Sequence, residues 1–430
     1  PQRRQTTVRV DLLKENCQKS RIYLKDNPEN IDAKKIEAVH FFDESIFGFP
    51  VSEDMKLQFA KVMRGANVLF PLGVENAEDY LSRHSVNEFT YDFNRRITLA
   101  YGVGFAGQVY RGYLESKKAN IEMKSLIVEN ATQKTSESWH PSNDFSEKQA
   151  RLDSFFENRS VVLVKGLGHE SAQSEELNAV PRLMRSLGAH VIEVKTSGVG
   201  SMRDNAKVVK SILLNELQKG RFVTLITLSK GSVEAYLAMA ELERSGELQK
   251  LPGSIDSVVG FGAVFGHSYF LEKFTGFPEW IVVKKALKNF WSDIPHHGFK
   301  GLHELGSKKT MNEMRNEMFA HLPRDPIYLT FSAVPPPNGL AIDDWGREVQ
   351  NSYIRPHFTS KNLGANDVYL EFPLTELPST LAPNIYNLVI EGTHGSMLEG
   401  RFGSLELSHS QDRRAFTSAI FLSLAEKLAK

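Results

Sequence analysis

Ser229 is the side chain in this sequence best placed to attack an electrophile. It lies in Thr227-Leu228-Ser229-Lys230-Gly231, between an apolar run that reads as a strand and a periodic run that reads as a helix. A serine on so sharp a strand-to-helix turn projects over the end of a sheet, and small residues beside it relieve crowding. The helix N-terminus adds unpaired N–H groups and a positive dipole end, both suited to a developing oxyanion. The plainer reading of the same serine is a helix N-cap. A serine nucleophile needs a base to take its proton and a carboxylate to orient that base. His394 supplies an imidazole in EGTHGSMLEG, directly after the strand-like IYNLVIEG. Asp367, in the turn Gly364-Ala365-Asn366-Asp367, is the first candidate acid; Asp343 and Asp344, beyond IYLTFSAV, are the alternatives. Glu391 reads as a strand-end residue, and His169 as a solvated loop histidine within possible reach of a substrate.

Other chemistries are weaker. Gly102-Val103-Gly104-Phe105-Ala106-Gly107 satisfies GxGxxG, and Gly166 and Gly168 follow VVLV with Glu193 on the next strand. Dinucleotide binding requires a strand, a glycine turn and a helix in succession. The first motif lies outside the regular part of the chain and reads equally well as small-residue helix packing. The second has Ser171 where its third glycine belongs. His296, His297 and His303 have no carboxylates at a recognised ligand spacing, and Cys17 is the only cysteine. A metal site is therefore not expected, a disulfide within the chain is excluded, and no cofactor is required.

The elements that must hold these residues form a regular series. After the polar segment 131–144, Ser146 and Gln149 suggest a capping box opening a helix with Leu152, Phe155 and Phe156 on one side. Strands are expected at VVLV, HVIEV, FVTLITL, IDSVVGFGAV, IYLTFSAV and IYNLVIEG, with helices between several of them and a last helix carrying Phe416, Ile420 and Leu424. This alternation predicts an α/β fold with a mostly parallel sheet covered on both faces. Upstream, TTVRVDLL alternates like a strand and EDMKLQFAKVM has a helical apolar face. The expected division is an accessory N-terminal region, mixed or helical, over 1–140 and an α/β domain over 145–430. A helical cap insertion at about 265–325 carries Tyr269, Phe270, Phe274, Phe277, Trp280, Phe290 and Trp291.

Composition narrows the partners. The chain has 430 residues, 41% hydrophobic and 24% charged, enough apolar surface for a large folded core. Its 52 basic and 52 acidic residues cancel, leaving no global field to draw nucleic acid or an anionic membrane. No apolar run reaches the ~18 residues of a membrane span. No secretory leader is read where Arg3, Arg4 and Gln5 open a polar stretch, so a soluble cytoplasmic protein is expected.

Over residues 145–430 the sequence resembles the α/β-hydrolase superfamily. LSKGS resembles the nucleophile elbow of lipase-type members that read HSKGG, GANDV their acid-bearing turn, and GTHGSM their histidine loop. KTSGVGS is similar to the glycine-serine loop after an earlier strand, and KGLG corresponds to the oxyanion loop. The resemblance implies a Ser229, His394 and Asp367 triad, with backbone N–H groups of Leu167 and Lys230 binding the oxyanion. Two positions depart from the pattern: Lys165 stands where histidine is common, and Thr227 where glycine is usual. The leading expectation is a serine hydrolase of carboxylic esters or related acyl bonds, acting on a small-molecule or lipid-like apolar acyl substrate. A hydrolase-shaped interaction protein, docking a protein partner through residues 1–140, is the second reading; a dinucleotide-dependent oxidoreductase is the third.

Overall fold

The computed structural model describes residues 80–82, 86, 89–101, 103–131, 141–166, 175–268, 271–272, 299–334, 370–392, 394, 397 and 400–429. Cys17, Leu167, His169, His296, His297, Asp343, Asp344 and Asp367 lie outside these residues, as do TTVRVDLL, EDMKLQFAKVM and the aromatic residues 269–291.

Contacts divide the chain into two compact units, Pro1–Gly112 with Pro335–Val368 and Tyr113–Val334 with Tyr369–Lys430. In the first, helix α1 (Tyr91–Tyr101) is followed by α2 (Val103–Glu115), which runs on past the boundary. The Phe89 ring meets Phe93 and Tyr110 edge-on there, at 5.3 and 4.9 Å. A helix rather than a strand thus precedes the Gly102–Gly107 motif, so the strand that a dinucleotide fingerprint needs is missing.

The second unit is built on a sheet. In chain order it contains α3 (Lys118–Ala131), α4 (Pro141–Phe156), β1 (Arg159–Val164), α5 (Glu175–Ser186), β2 (His190–Glu193), α6 (Met202–Gln218) and β3 (Phe222–Leu228). There follow α7 (Lys230–Arg244), β4 (Ser254–Phe261), α8 (Lys300–Gly306), α9 (Lys308–Ala320), β5 (Ile327–Val334) and β6 (Ile385–Glu391). A short hairpin, β7 (Arg401–Phe402) and β8 (Leu405–Glu406), leads into α10 (Ser410–Leu428). The strand order is β2-β1-β3-β4-β5-β6-β7-β8, with β1 to β6 parallel and the hairpin antiparallel.

Burial explains why these runs are strands: every residue of β1 and β5 is buried, as expected where helices cover both faces of a parallel sheet. Val161, Leu163, Ile226, Leu228, Leu329 and Phe331 share a core with Met123, Phe155, Met184, Phe416 and Ile420 from α3, α4, α5 and α10. On the alternate strand positions, Tyr328 of β5 meets the Tyr236 ring of α7 at 5.9 Å. Helices α6 and α9 flank α7 and bury Val209, Leu213, Met311 and Met314.

Two details differ from the sequence reading. Helix α4 starts at Pro141, a residue suited to a first helical position, so Ser146 and Gln149 lie inside it and form no capping box. Gln149 Nε2 instead donates to Asp153 Oδ1 at 2.8 Å and to the Leu187 carbonyl at 3.3 Å. Helix α3, upstream of the polar segment, packs along α10, and Asn120 Oδ1 accepts the Asn387 N–H of β6 at 3.0 Å. No described helix is long and apolar enough to cross a membrane.

Candidate active site

From β1 the chain steps outward to β2, then returns across β1 to β3. That reversal is a topological switch point at the carboxyl ends of β1 and β3, the place where ligands of such sheets bind. Ser229 is the first residue after β3 and stands at this point. Its backbone, at φ 50° and ψ −124°, lies where few L-residues settle, a conformation held only by over-determined surroundings.

Those surroundings are visible. The Ser229 N–H donates to the Phe261 carbonyl at the end of β4, at 2.9 Å. The Ser229 carbonyl accepts twice from Ser232, from its N–H at 2.9 Å and its hydroxyl at 2.5 Å. The Ser232 Oγ in turn accepts the Val264 N–H at 2.9 Å, which ties the elbow to the β4 loop. Two glycines permit the close fit. A Cβ on Gly231 would lie 2.4 Å from the Val164 carbonyl, and one on Gly166 would lie 2.6 Å from the Leu228 carbonyl. Gly166 therefore serves the approach of the β1 loop to the elbow.

His394, beyond β6, meets this serine: its Nε2 lies 2.7 Å from Ser229 Oγ. The imidazole is half-buried, with Gly262 and Met397 against it. A Cβ at Gly262 would come within 2.9 Å of His394 Cε1 and 2.4 Å of Met397 Cε. Such a pair can move a proton from hydroxyl to ring nitrogen as the oxygen attacks. Lys230 opens α7, so its N–H is one of the helix's first donors and has no acceptor within the helix. The candidate acids and Leu167 lie outside the described residues, as stated above.

Both departures from the elbow pattern fit sterically, although the buried Thr227 hydroxyl has no hydrogen-bond partner. Thr227 is fully buried, and its register partner on β4 is Gly260, whose missing side chain leaves room for the threonine. Lys165 is buried and pairs with the partly exposed Glu193 at 2.8 Å, and Arg185 holds the same carboxylate at 2.8 Å. Burial pushes the Glu193 carboxyl up, but the bonds from Lys165 and Arg185 outweigh it and hold the group below the usual range.

Beside the elbow lies a charged pair the sequence reading missed, Lys230 with Glu234, both buried. Burial pushes the Glu234 carboxyl up, against the pull of Lys230, Asn205 and Thr196. The available signal was a lysine and a glutamate at i and i+4 on a helix buried on nearly every side, where charges must pair. Ser232 and Gly262 were also missed. His303 is exposed on α8, and no group of three potential metal ligands gathers among the described residues.

No family model and no curated protein matches this sequence. Solved structures do. The mature lipase of Bacillus licheniformis matches at 18% identity over 56% of this chain and 86% of its own, with TM-score 0.40. A metagenomic carboxyl esterase matches at 18% identity over 63% of this chain and 76% of its own, with TM-score 0.42. A thioesterase of the prodiginine pathway of Streptomyces coelicolor matches at 14% identity over 62% of this chain and 94% of its own, with TM-score 0.29.

Proposed function

We propose that this chain, which has the α/β-hydrolase fold, is a serine hydrolase cleaving a carboxylic ester or related acyl bond. The observation that carries the reading is the 2.7 Å approach of His394 Nε2 to Ser229 Oγ, with Ser229 held at φ 50° at the end of β3. Ser229 Oγ attacks the carbonyl carbon while His394 takes the hydroxyl proton. The N–H groups of Lys230 and Leu167 hold the resulting oxyanion. Collapse of the tetrahedral intermediate releases the alcohol or thiol, protonated by His394, and leaves the acyl group on Ser229. Water then attacks the acyl-enzyme with His394 as base, and Ser229 departs with its proton restored. Asp367 orients His394, with Asp343 and Asp344 as the alternative acids. The aromatic side chains of 265–325 favour an apolar acyl group.

Of the three features that favour a non-catalytic binding role, Lys165 and Thr227 meet Glu193 and Gly260 while His394 still lies against Ser229; the third is the region 1–140. The test is hydrolysis of a p-nitrophenyl ester chain-length series by the purified protein, with fluorophosphonate labelling mapped to the modified residue. Ser229→Ala is expected to lower kcat by on the order of 10⁶-fold. Asp367→Asn is expected to lower it by about 10⁴-fold, the loss following whichever of Asp367, Asp343 or Asp344 is the acid. Undiminished hydrolysis by Ser229→Ala, or labelling of another serine, refutes the reading.

A further inference from the structure

The residue after the proposed nucleophile carries a charge into the interior. Lys230 has 1% of its side chain exposed, and Glu234, one turn further along α7, has 0%. The two form an ion pair, and Lys230 Nζ also donates to the Ser197 carbonyl at 3.2 Å. Glu234 Oε1 accepts from Asn205 Nδ2 at 2.7 Å, and the same amide donates to the Ser197 carbonyl at 2.7 Å. Asn205 Oδ1 accepts the Ser197 N–H at 3.3 Å. One buried polar network therefore joins the first turn of α7, the first turn of α6 and both backbone groups of a residue in the β2–α6 loop. Glu304 of α8 braces that loop from outside, accepting from the Ser201 hydroxyl at 2.8 Å and the Met202 N–H at 2.7 Å.

Stability does not account for these charges. Withdrawing two ions from water costs more than their attraction commonly returns, and apolar residues of like volume stabilise such positions as well or better. Val233, Ala235, Tyr236 and Leu237, around the same turn, are buried and need no help to dock the helix. An apolar pair would not supply direction. The ion pair ties the side chain of residue 230 to fixed partners on two sides, and so restrains the peptide that follows Ser229.

We infer that Lys230 and Glu234 are a positioning pair, holding the first turn of α7 so that the Lys230 N–H meets the oxyanion. This rests on the serine-hydrolase reading. Preorganised donors lower a barrier only while their orientation is fixed before the charge develops, and removing one such donor costs about 10²–10³-fold in kcat. Loosening one is expected to cost part of that.

The test uses the purified full chain with Lys230→Met, Glu234→Gln, Glu234→Met and the double variant Lys230→Met/Glu234→Met. Thermal unfolding is measured beside kcat and KM for a p-nitrophenyl ester, with kcat normalised to folded protein. Single variants are expected to lose both stability and kcat. The double variant is expected to regain the unfolding midpoint while its kcat stays tenfold or more below wild type, with KM within twofold. Glu234→Gln, which keeps acceptors for Lys230 and Asn205, should retain more kcat per folded molecule than the similarly sized Glu234→Met. That ordering stands as the test even if the double variant does not fold. A double variant that recovers kcat together with stability, or equal kcat for Gln and Met at 234, overturns the pair's role and leaves the hydrolase reading standing. A wild type that hydrolyses no ester overturns both.

Discussion

Replacing Gly262 by alanine should separate the cost of backbone strain from the cost of moving His394, the proposed base. Gly262 has φ 56°, where an L-residue costs about 1–2 kcal/mol. The new methyl would also lie 2.9 Å from His394 Cε1, 3.1 Å from Nδ1 and 2.4 Å from Met397 Cε. The thioether end of Met397 can swing aside. Any shift of the imidazole disturbs its 2.7 Å contact with Ser229 Oγ. A misplacement of up to ~1 Å between reacting groups costs on the order of 10²-fold, equivalent to about 2.7 kcal/mol of barrier. Gly403 is the control. It has φ 59° in the β7–β8 hairpin, and a Cβ there meets only Val128 Cγ2, at 3.5 Å. Gly403→Ala should therefore lose a similar ~1–2 kcal/mol of stability and leave kcat unchanged. The assay is ester hydrolysis and thermal unfolding of both variants under one set of conditions. If Gly262→Ala loses no more kcat than Gly403→Ala, the steric argument about His394 is wrong.

Two further expectations follow from the same contacts. Ser232→Ala removes one of two donors to the Ser229 carbonyl and strands the buried Val264 N–H. A loss of about 1–3 kcal/mol in denaturant stability is expected, with a fall in kcat because the elbow is less firmly held; an unchanged kcat would show that the turn keeps its shape without this bracket. Glu216 is buried on α6, and although burial pushes its carboxyl up, bonds from Lys219 and Ser160 hold it below the usual range. The unfolded chain therefore takes up this proton first as pH falls. The stabilisation is complete above the ordinary glutamate range and is lost as pH drops through the folded-state value. Glu216→Gln should flatten that part of the acid limb of a stability–pH curve, and an identical limb in the variant would refute the assignment.

The sheet was legible in the sequence because its strands are buried on both faces. FVTLITL and IYLTFSAV are predominantly apolar runs, and they coincide with β3 and β5. The turn after β3 was legible too, because a serine followed closely by glycine between a strand and a helix fits a sharp strand-to-helix turn. What escaped was of another kind. Helix α4 begins earlier than its apolar face suggests, since its first residues make no core pattern. Ser232, Gly262 and Lys230 act through partners distant in sequence: Ser232 reaches Val264 32 residues on, Gly262 lies against His394, and Lys230 reaches Ser197 33 residues back. No local period encodes such a contact. Helix α3 likewise reads as part of an upstream region, while its packing on α10 follows from tertiary contact alone.

The pairing of Thr227 with Gly260 has a consequence for recognising related chains. The room an elbow needs belongs to a volume shared by two adjacent strands, and either strand can surrender it. A pattern that demands glycine two residues before the serine scans one strand and passes over this chain. A pattern that admits a larger residue there, provided its lateral neighbour on the next strand is glycine, would retain it. Thr227→Gly and Gly260→Ala are then opposite moves in one volume, the first opening it and the second filling it.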